Sequence, residues 1–318
     1  MTGQQRRVVV LGGTGFLGGH LRAAFRAEGD HVVCVSRTSA DVDAPDERFV
    51  ALDLLAANPR ELRSLFTDTD PGIVVNAAGA VWKVTENQMI AANAELVTAL
   101  IVALREMPHR PRLIQLGSVH EYGVGTRDSG LAEDGAEAPV TPYGRSKLVA
   151  SRSVLDAAAA GALDGVVLRM ANIVGPGVPT GSLLGDTAAH LEAYAEDPGA
   201  TDAELVFPPL RAERDFVDVR DVVDAVLAAA RAPRAEVSGR VINVGSGRAV
   251  RAGEVVERLL ALSGLPVRLV ERPADGAGAA AVDCQKLDVS RARRLLGWEP
   301  RRDLDAALSG LLSGLSLA

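Results

Sequence analysis

Short apolar runs recur along the chain, and each is followed by a polar turn and a longer segment with apolar residues every three or four positions. The first run is Val8-Val9-Val10-Leu11, ahead of a helical pattern extending through about residue 28. Further strand-like runs lie at 31–36, 50–54, 72–76, 113–116, 165–169 and 240–244. Between and after them come helical patterns at 86–107, 142–160, 186–196, 218–231 and 253–263, and another that opens at Asn58-Pro59. Proline suits the first helical position, where its missing N–H is not needed. Continuously apolar strands alternating with amphipathic helices predict a parallel sheet covered on both faces, a doubly wound α/β fold of Rossmann type. Beyond about residue 174 the periodicity weakens. A smaller, discontinuous C-terminal α/β lobe is therefore expected from residues 175–213 and 248–318, with 1–174 and 214–247 forming the main α/β domain. Residues 274–281 are a low-complexity alanine and glycine stretch that reads as a loop.

Composition narrows the function classes. The 318 residues are 47% apolar, as in a globular protein. A net charge of −7 without a basic block argues against nucleic acid as a partner. Cys34 and Cys284 make neither a disulfide framework nor a metal-ligand spacing, so no metal is expected. The N-terminal apolar run is too short for a signal peptide, and no run approaches the ~20 apolar residues of a membrane span. A cytoplasmic protein with no membrane partner is the expectation.

The candidate chemistry starts at the first strand-to-helix junction, Gly12-Gly13-Thr14-Gly15-Phe16-Leu17-Gly18. Glycines at this spacing permit a tight turn and close backbone approach to a pyrophosphate at a helix N-terminus. Gly12, Thr14, Gly15, Phe16, Leu17 and Gly18 are the expected cradle. An acidic residue after the second strand would bind a ribose 2′-hydroxyl, whereas an arginine accommodates a 2′-phosphate. Arg37 stands there with Ser36 and Ser39, which predicts NADP rather than NAD. Asp53 and Leu54 are placed to line the adenine, and the small residues Ala77, Ala78 and Gly79 let the backbone pass close to a cofactor. Ser118 follows the fifth strand, at the carboxyl edge where open α/β sheets bind ligands. Tyr143 and Lys147, in Thr141-Pro142-Tyr143-Gly144-Arg145-Ser146-Lys147, stand four apart on one helical face. A neighbouring ammonium lowers a phenol's pKa, so this tyrosine is expected to exchange a proton with a substrate oxygen. With only three lysines against thirty-one arginines, the lysine is a specific choice rather than a generic surface cation.

Gly12 to Gly18, Asn76 to Gly79, Ser118, Tyr143, Lys147, Arg214-Asp215-Phe216 and Gly297-Trp298-x-Pro300 together resemble the extended short-chain dehydrogenase/reductase family. Within it, Leu116-Gly117-Ser118-x-x-Glu121-Tyr122-Gly123 and Asn243-Val244-x-Ser246-Gly247 are similar to stretches of the 4-keto-6-deoxysugar reductases, typified by GDP-4-keto-6-deoxymannose reductase. The resemblance implies an NADPH-dependent reduction of a nucleotide-diphosphate sugar by a homodimer. Ser118 would then donate to the substrate carbonyl, Tyr143 would supply the proton and Lys147 would bind the nicotinamide ribose. Val81, Ser118, His120 and Asn172 would contact the substrate, Arg214 its nucleotide and Arg272 its diphosphate. His120 departs from the pattern, since the related 4,6-dehydratases carry an acid–base Glu at that position. Glu121 is expected to point elsewhere, because neighbours in extended chain point apart. His120 is therefore expected to hydrogen-bond rather than to deprotonate C5. The alternatives left open are an epimerase or dehydratase that recycles its cofactor and a non-catalytic NADP-binding regulator.

Overall fold

A computed structural model describes residues 6–38, 46–80, 84–125, 129–199, 203–273 and 283–317. In chain order the elements begin β1 (Arg7–Leu11), α1 (Phe16–Ala27), β2 (His31–Ser36), β3 (Glu47–Ala51), α2 (Pro59–Thr69) and β4 (Ile73–Asn76). Next come α3 (Glu86–Ile90), a π-helical turn (Ala91–Glu95) and α4 (Leu96–Arg105), which form one continuous helix, then β5 (Arg112–Ser118) and a 3₁₀ turn (Val119–Glu121). They are followed by α5 (Pro142–Ala159), β6 (Asp164–Met170), β7 (Asn172–Val174), α6 (Leu183–Glu196), β8 (Glu204–Phe207), β9 (Glu213–Asp218) and α7 (Val219–Arg231). The chain closes with α8 (Arg234–Val237), β10 (Arg240–Val244), β11 (Ala249–Arg251), α9 (Ala252–Ser263), β12 (Arg268–Glu271), β13 (Cys284–Gln285), α10 (Ser290–Leu296) and α11 (Leu304–Leu312).

Seven parallel strands form the main sheet in the order β10-β6-β5-β4-β1-β2-β3, the doubly wound arrangement that the pattern predicts. The order reverses between β1 and β4, and there a ligand crevice opens at the strands' carboxyl ends. Local signals explain several boundaries. Asn58 and Glu61 form a reciprocal capping box at the start of α2, with Pro59 at its first position. The third strand runs over Glu47–Ala51 rather than 50–54, because pairing with β2 places Cys34 opposite Phe49 and so fixes its register.

Two apolar layers pack on the faces of this sheet. Leu21, Phe25, Val222, Val226 and Trp298 belong to one, and Leu62, Phe66, Leu100, Leu104 and Val154 to the other. A separate core of Leu184, Leu191, Val255, Leu259, Leu308 and Leu311 builds the second lobe. β7 pairs with β9, and β9 pairs also with the short strands β11 and β13, rather than joining the main sheet. In the other direction, Val289, Ala292 and Trp298 return to the first core, although they lie beyond residue 248. Glu86–Arg105 is long and apolar enough to cross a membrane by composition, but half of its most apolar stretch is buried inside this fold.

Candidate active site

Absent side chains set the spacing of the glycine turn. Gly12 has φ +72°, and the Gly12 and Gly13 N–H groups both donate to Val35 O, at 2.9 and 3.3 Å. A Cβ on Gly12 would stand 2.8 Å from Ala78 N, and one on Gly18 would stand 2.1 Å from Gly12 O. Gly15 caps α1 without a side-chain bond, and the first turn holds no acidic residue. The uncapped N–H groups and the positive end of the helix suit a pyrophosphate.

The rest of the expected dinucleotide site is uneven. Arg37 is exposed and has no ion-pair partner among the described residues. Ser36 is not a free donor, because its hydroxyl donates to Thr38 O at 2.5 Å. Leu54 is buried in the core against the sheet, so it packs there instead of lining an open adenine site. Asp53 remains exposed, its carboxylate accepting the Leu55 N–H at 3.0 Å. Ser39 and Val81 lie outside the described residues.

Ala77, Ala78 and Gly79 do come to the crevice. Ala77 N–H donates to Leu11 O at 3.0 Å, and Ala78 N–H to Asn76 Oδ1 at 3.2 Å. A residue to which sequence reasoning gave no role, Asn93, holds the next step of the turn. Its amide accepts the Ala80 N–H at 3.1 Å and donates to Ala80 O at 2.8 Å and to Ser146 Oγ at 3.1 Å. Asn93 sits in the π turn, the kind of local insertion that often marks functional sites. A lone buried amide in a helix of apolar residues was the signal available in the sequence.

At the end of β5, Ser118 meets α5. Thr141 caps this helix by accepting the Gly144 N–H at 3.0 Å. Gly144 has no Cβ, which at this point would fall 2.3 Å from His120 O, so the helix start sits directly on the 3₁₀ turn. The Tyr143 phenol interacts with the Ser118 side chain, and the His120 ring lies edge-on to the Tyr143 ring with centroids 5.8 Å apart. Lys147 is buried and donates from Nζ to Leu116 O.

The electrostatics differ from the sequence expectation. Burial pushes the Tyr143 phenol up to about 12, although the Ser118 interaction pulls the other way and the Glu121 charge adds to the rise. Lys147 is not among the groups acting on the phenol, and its Nζ donates to the Leu116 carbonyl. Burial also lowers the lysine's own pKa, against the opposing Glu121 charge. His120 is held below its usual value, first by burial and then by the Arg214 charge, while Asp283 acts oppositely. Glu121 does turn away from the crevice, accepting the Ser118 N–H at 2.7 Å and Arg169 Nε at 2.6 Å.

These groups converge on a cavity of about 520 Å³ between the lobes. Phe16, Leu17 and the 77–80 turn line one side, Val178, Leu183 and Phe216 the other, and Ser118, His120, Tyr143 and Lys147 lie where they meet. Asn172 also lines it, with its amide donating to Asp215 O at 2.9 Å across the β7–β9 pair. Arg214 lines it as well, gripping Asp283 through two 2.7 Å bonds. Arg272 is not brought to the cavity: its side chain is 64% exposed and pairs with Glu204 at 3.0 Å. No group of three or more His, Cys, Asp or Glu side chains that could hold a metal is found among the described residues.

The chain is similar to known proteins over most of its length. The sequence profile of the NAD dependent epimerase/dehydratase family matches residues 8–245. A dTDP-6-deoxy-L-talose 4-dehydrogenase (NAD(P)(+)) from Kitasatospora kifunensis is 44% identical over 312 residues, covering 98% of this chain and 96% of that protein. A UDP-glucose 4-epimerase from Azospirillum brasilense is 28% identical over 334 residues, covering 98% and 92%. The solved structure of MoeE5 in complex with UDP-glucuronic acid and NAD superposes with a TM-score of 0.79 at 27% identity, covering 97% of this chain and 98% of that one. The 44% relative acts on a dTDP-linked sugar, so the particular likeness to GDP-4-keto-6-deoxymannose reductase gives way to the broader family.

Proposed function

Since the chain belongs to the NAD-dependent epimerase/dehydratase family, we propose that it is an NADPH-dependent reductase of a nucleotide-diphosphate 4-keto-6-deoxyhexose. The observation that carries this reading is the meeting of Ser118, Tyr143 and Lys147 in a cavity also lined by Phe16, Leu17 and the 77–80 turn. The 44% relative is named for 4-dehydrogenation of a dTDP-6-deoxyhexose, which is the same chemistry in reverse.

The uncapped start of α1 and the bare glycine turn fit a pyrophosphate, and the exposed Arg37 fits a 2′-phosphate. Bound NADPH supplies the hydride. Ser118 and Tyr143 hold the substrate oxygen where negative charge develops, and Tyr143 delivers the proton. A phenol at about 12 is protonated throughout the neutral range, as a proton donor must be. Lys147, whose Nζ donates to Leu116 O, would bind the nicotinamide ribose. His120, held neutral, offers a ring nitrogen to hydrogen-bond the sugar. Asn172 and Arg214 line the cavity, where Asn172 would contact the substrate and Arg214 its nucleotide. Both cysteines are buried and neither is in a disulfide, which suits a reducing cytoplasm. Exposed Ile90 on α3 and Val149 on α5 offer the apolar face of a homodimer.

An epimerase that recycles its cofactor is the second reading, favoured by the UDP-glucose 4-epimerase relative. Incubation with NADPH and a panel of dTDP-, GDP- and UDP-linked 4-keto-6-deoxyhexoses separates the two. Stoichiometric loss of NADPH absorbance with one of them, the dTDP sugar first, is the expected result. Interconversion of 4-epimers without net NADPH loss would select the epimerase, and binding without turnover a non-catalytic protein.

A further inference from the structure

We propose that Glu121, braced by Arg169, is a positioning residue for the Ser118–Tyr143–Lys147 site: it fixes the Ser118 backbone and places a negative charge beneath the tyrosine and the lysine. Both side chains are 0% exposed. One carboxylate oxygen takes the Ser118 N–H and the other takes Arg169 Nε, so the pair is tied directly to the strand end that carries the serine. Arg169 continues the network outward to Glu137 and lies 4.5 Å over the Tyr122 ring, whose hydroxyl donates to Asn243 Oδ1 at 2.7 Å.

The space for this network is built into β5. A Cβ on Gly117 would stand 2.6 Å from Glu121 Oε1 and 3.1 Å from Arg169 Cγ, so only glycine admits the pair beneath Ser118. A buried ion pair is not needed for packing, since apolar groups of similar volume commonly serve as well or better. What an apolar substitute would lack is an acceptor for the Ser118 N–H and a charge at this place. That charge faces Arg169 from β6, Glu137 from the loop ahead of α5, Tyr143 and Lys147 from α5, and His120 and Tyr122 on its own turn. It favours the protonated forms of both Tyr143 and Lys147, the states a proton-donating site requires.

The test compares wild-type protein with Glu121→Gln and with the double variant Glu121→Gln/Arg169→Gln. Glutamine keeps an oxygen for the Ser118 N–H and removes the charge. The double variant removes both charges and avoids stranding the arginine. Thermal melts confirm folding, and NADPH binding, read by fluorescence, is expected to be unchanged. kcat is expected to fall roughly tenfold to a hundredfold, as for a displaced catalytic group, and the basic limb of the pH–rate profile to move to lower pH. A wild-type pH profile in either folded variant would overturn the proposal. The assay rests on the reductase reading, but the two failures separate. If wild-type protein interconverts 4-epimers without consuming NADPH, the reductase reading fails and the same limb is read in that reaction, which uses the same tyrosine.

Discussion

Tyr143 and Lys147 stand one helical turn apart, yet their polar ends serve different partners, Ser118 and Leu116 O. The sequence spacing shows that they share a face and leaves open which groups they meet. Tyr143→Phe keeps the ring and removes the proton. It should lower turnover by about 10²–10⁴-fold, the usual contribution of a positioned general acid, with NADPH affinity unchanged by fluorescence titration. Near-normal ketone reduction by folded Tyr143→Phe would refute the mechanism. Ser118→Ala should cost about 10²–10³-fold in turnover, as loss of one oxyanion donor does. On the proposed reading, Arg37 would carry the cofactor preference. A charge-assisted contact to a 2′-phosphate contributes roughly 1.5–3 kcal/mol, or about tenfold to a hundredfold in affinity. Arg37→Ala should remove most of the preference for NADPH over NADH, and equal affinities in the unmutated protein would sink the assignment. Asn93 was harder to read, because a buried amide has meaning only once the turn that it binds is known.

Among the elements, the β1–α1 junction is the most legible in sequence and the least tolerant of change. Gly18→Ala would drive a methyl group to 2.1 Å from Gly12 O and 2.8 Å from Gly13 Cα, both backbone atoms that cannot rotate away. Overpacking of this kind costs about 1–3 kcal/mol, and the displaced turn should also lose cofactor binding. Gly19, one residue on in the same helix, has nothing within 4 Å of its missing Cβ. Gly19→Ala should instead stabilise by about 0.5–1 kcal/mol, the helix-propensity difference. Thermal melts of the two variants should therefore move in opposite directions, and a shared direction would contradict the packing described for α1. Long periodic helices and buried strands were legible in the same way. The short strands β7, β8, β11, β12 and β13 were not, because two to four residues carry too little periodicity to register.

For the whole molecule, two cores meet over one cavity, and polar groups pin the chain where it crosses between them. Trp298 Nε1 donates to Asp221 O at 2.9 Å, and Asp221 Oδ2 accepts the Arg301 and Arg302 N–H groups at 3.2 and 3.0 Å. These contacts bring the C-terminal segment back to α7, a return that no local pattern announces. Assembly belongs to the same scale. Val149 is 53% exposed on α5 and Ile90 40% exposed on α3, and α3 and α5 pack side by side. Light scattering should give about twice the 33.2 kDa chain mass, and Val149→Glu should shift the population toward monomer. A monomeric unmutated protein would exclude the dimer.

The sequence by itself determined the doubly wound sheet, the bare glycine turn and the shared face of Tyr143 and Lys147, because each is written in local spacing: a strand period, a turn that needs bare glycines, one helical turn. Glu121 was expected to point away from the crevice and does, but through the 3₁₀ turn in which it caps Ser118 rather than through the alternation of extended chain. Only the tertiary structure decided that Leu54 packs in the core, that Ser36 spends its hydroxyl on its own turn and that Arg272 stands away from the cavity. It alone raised the Tyr143 phenol instead of lowering it. Burial and the direction of a long side chain depend on which distant segments fold over a residue, and a one-dimensional pattern does not carry that information.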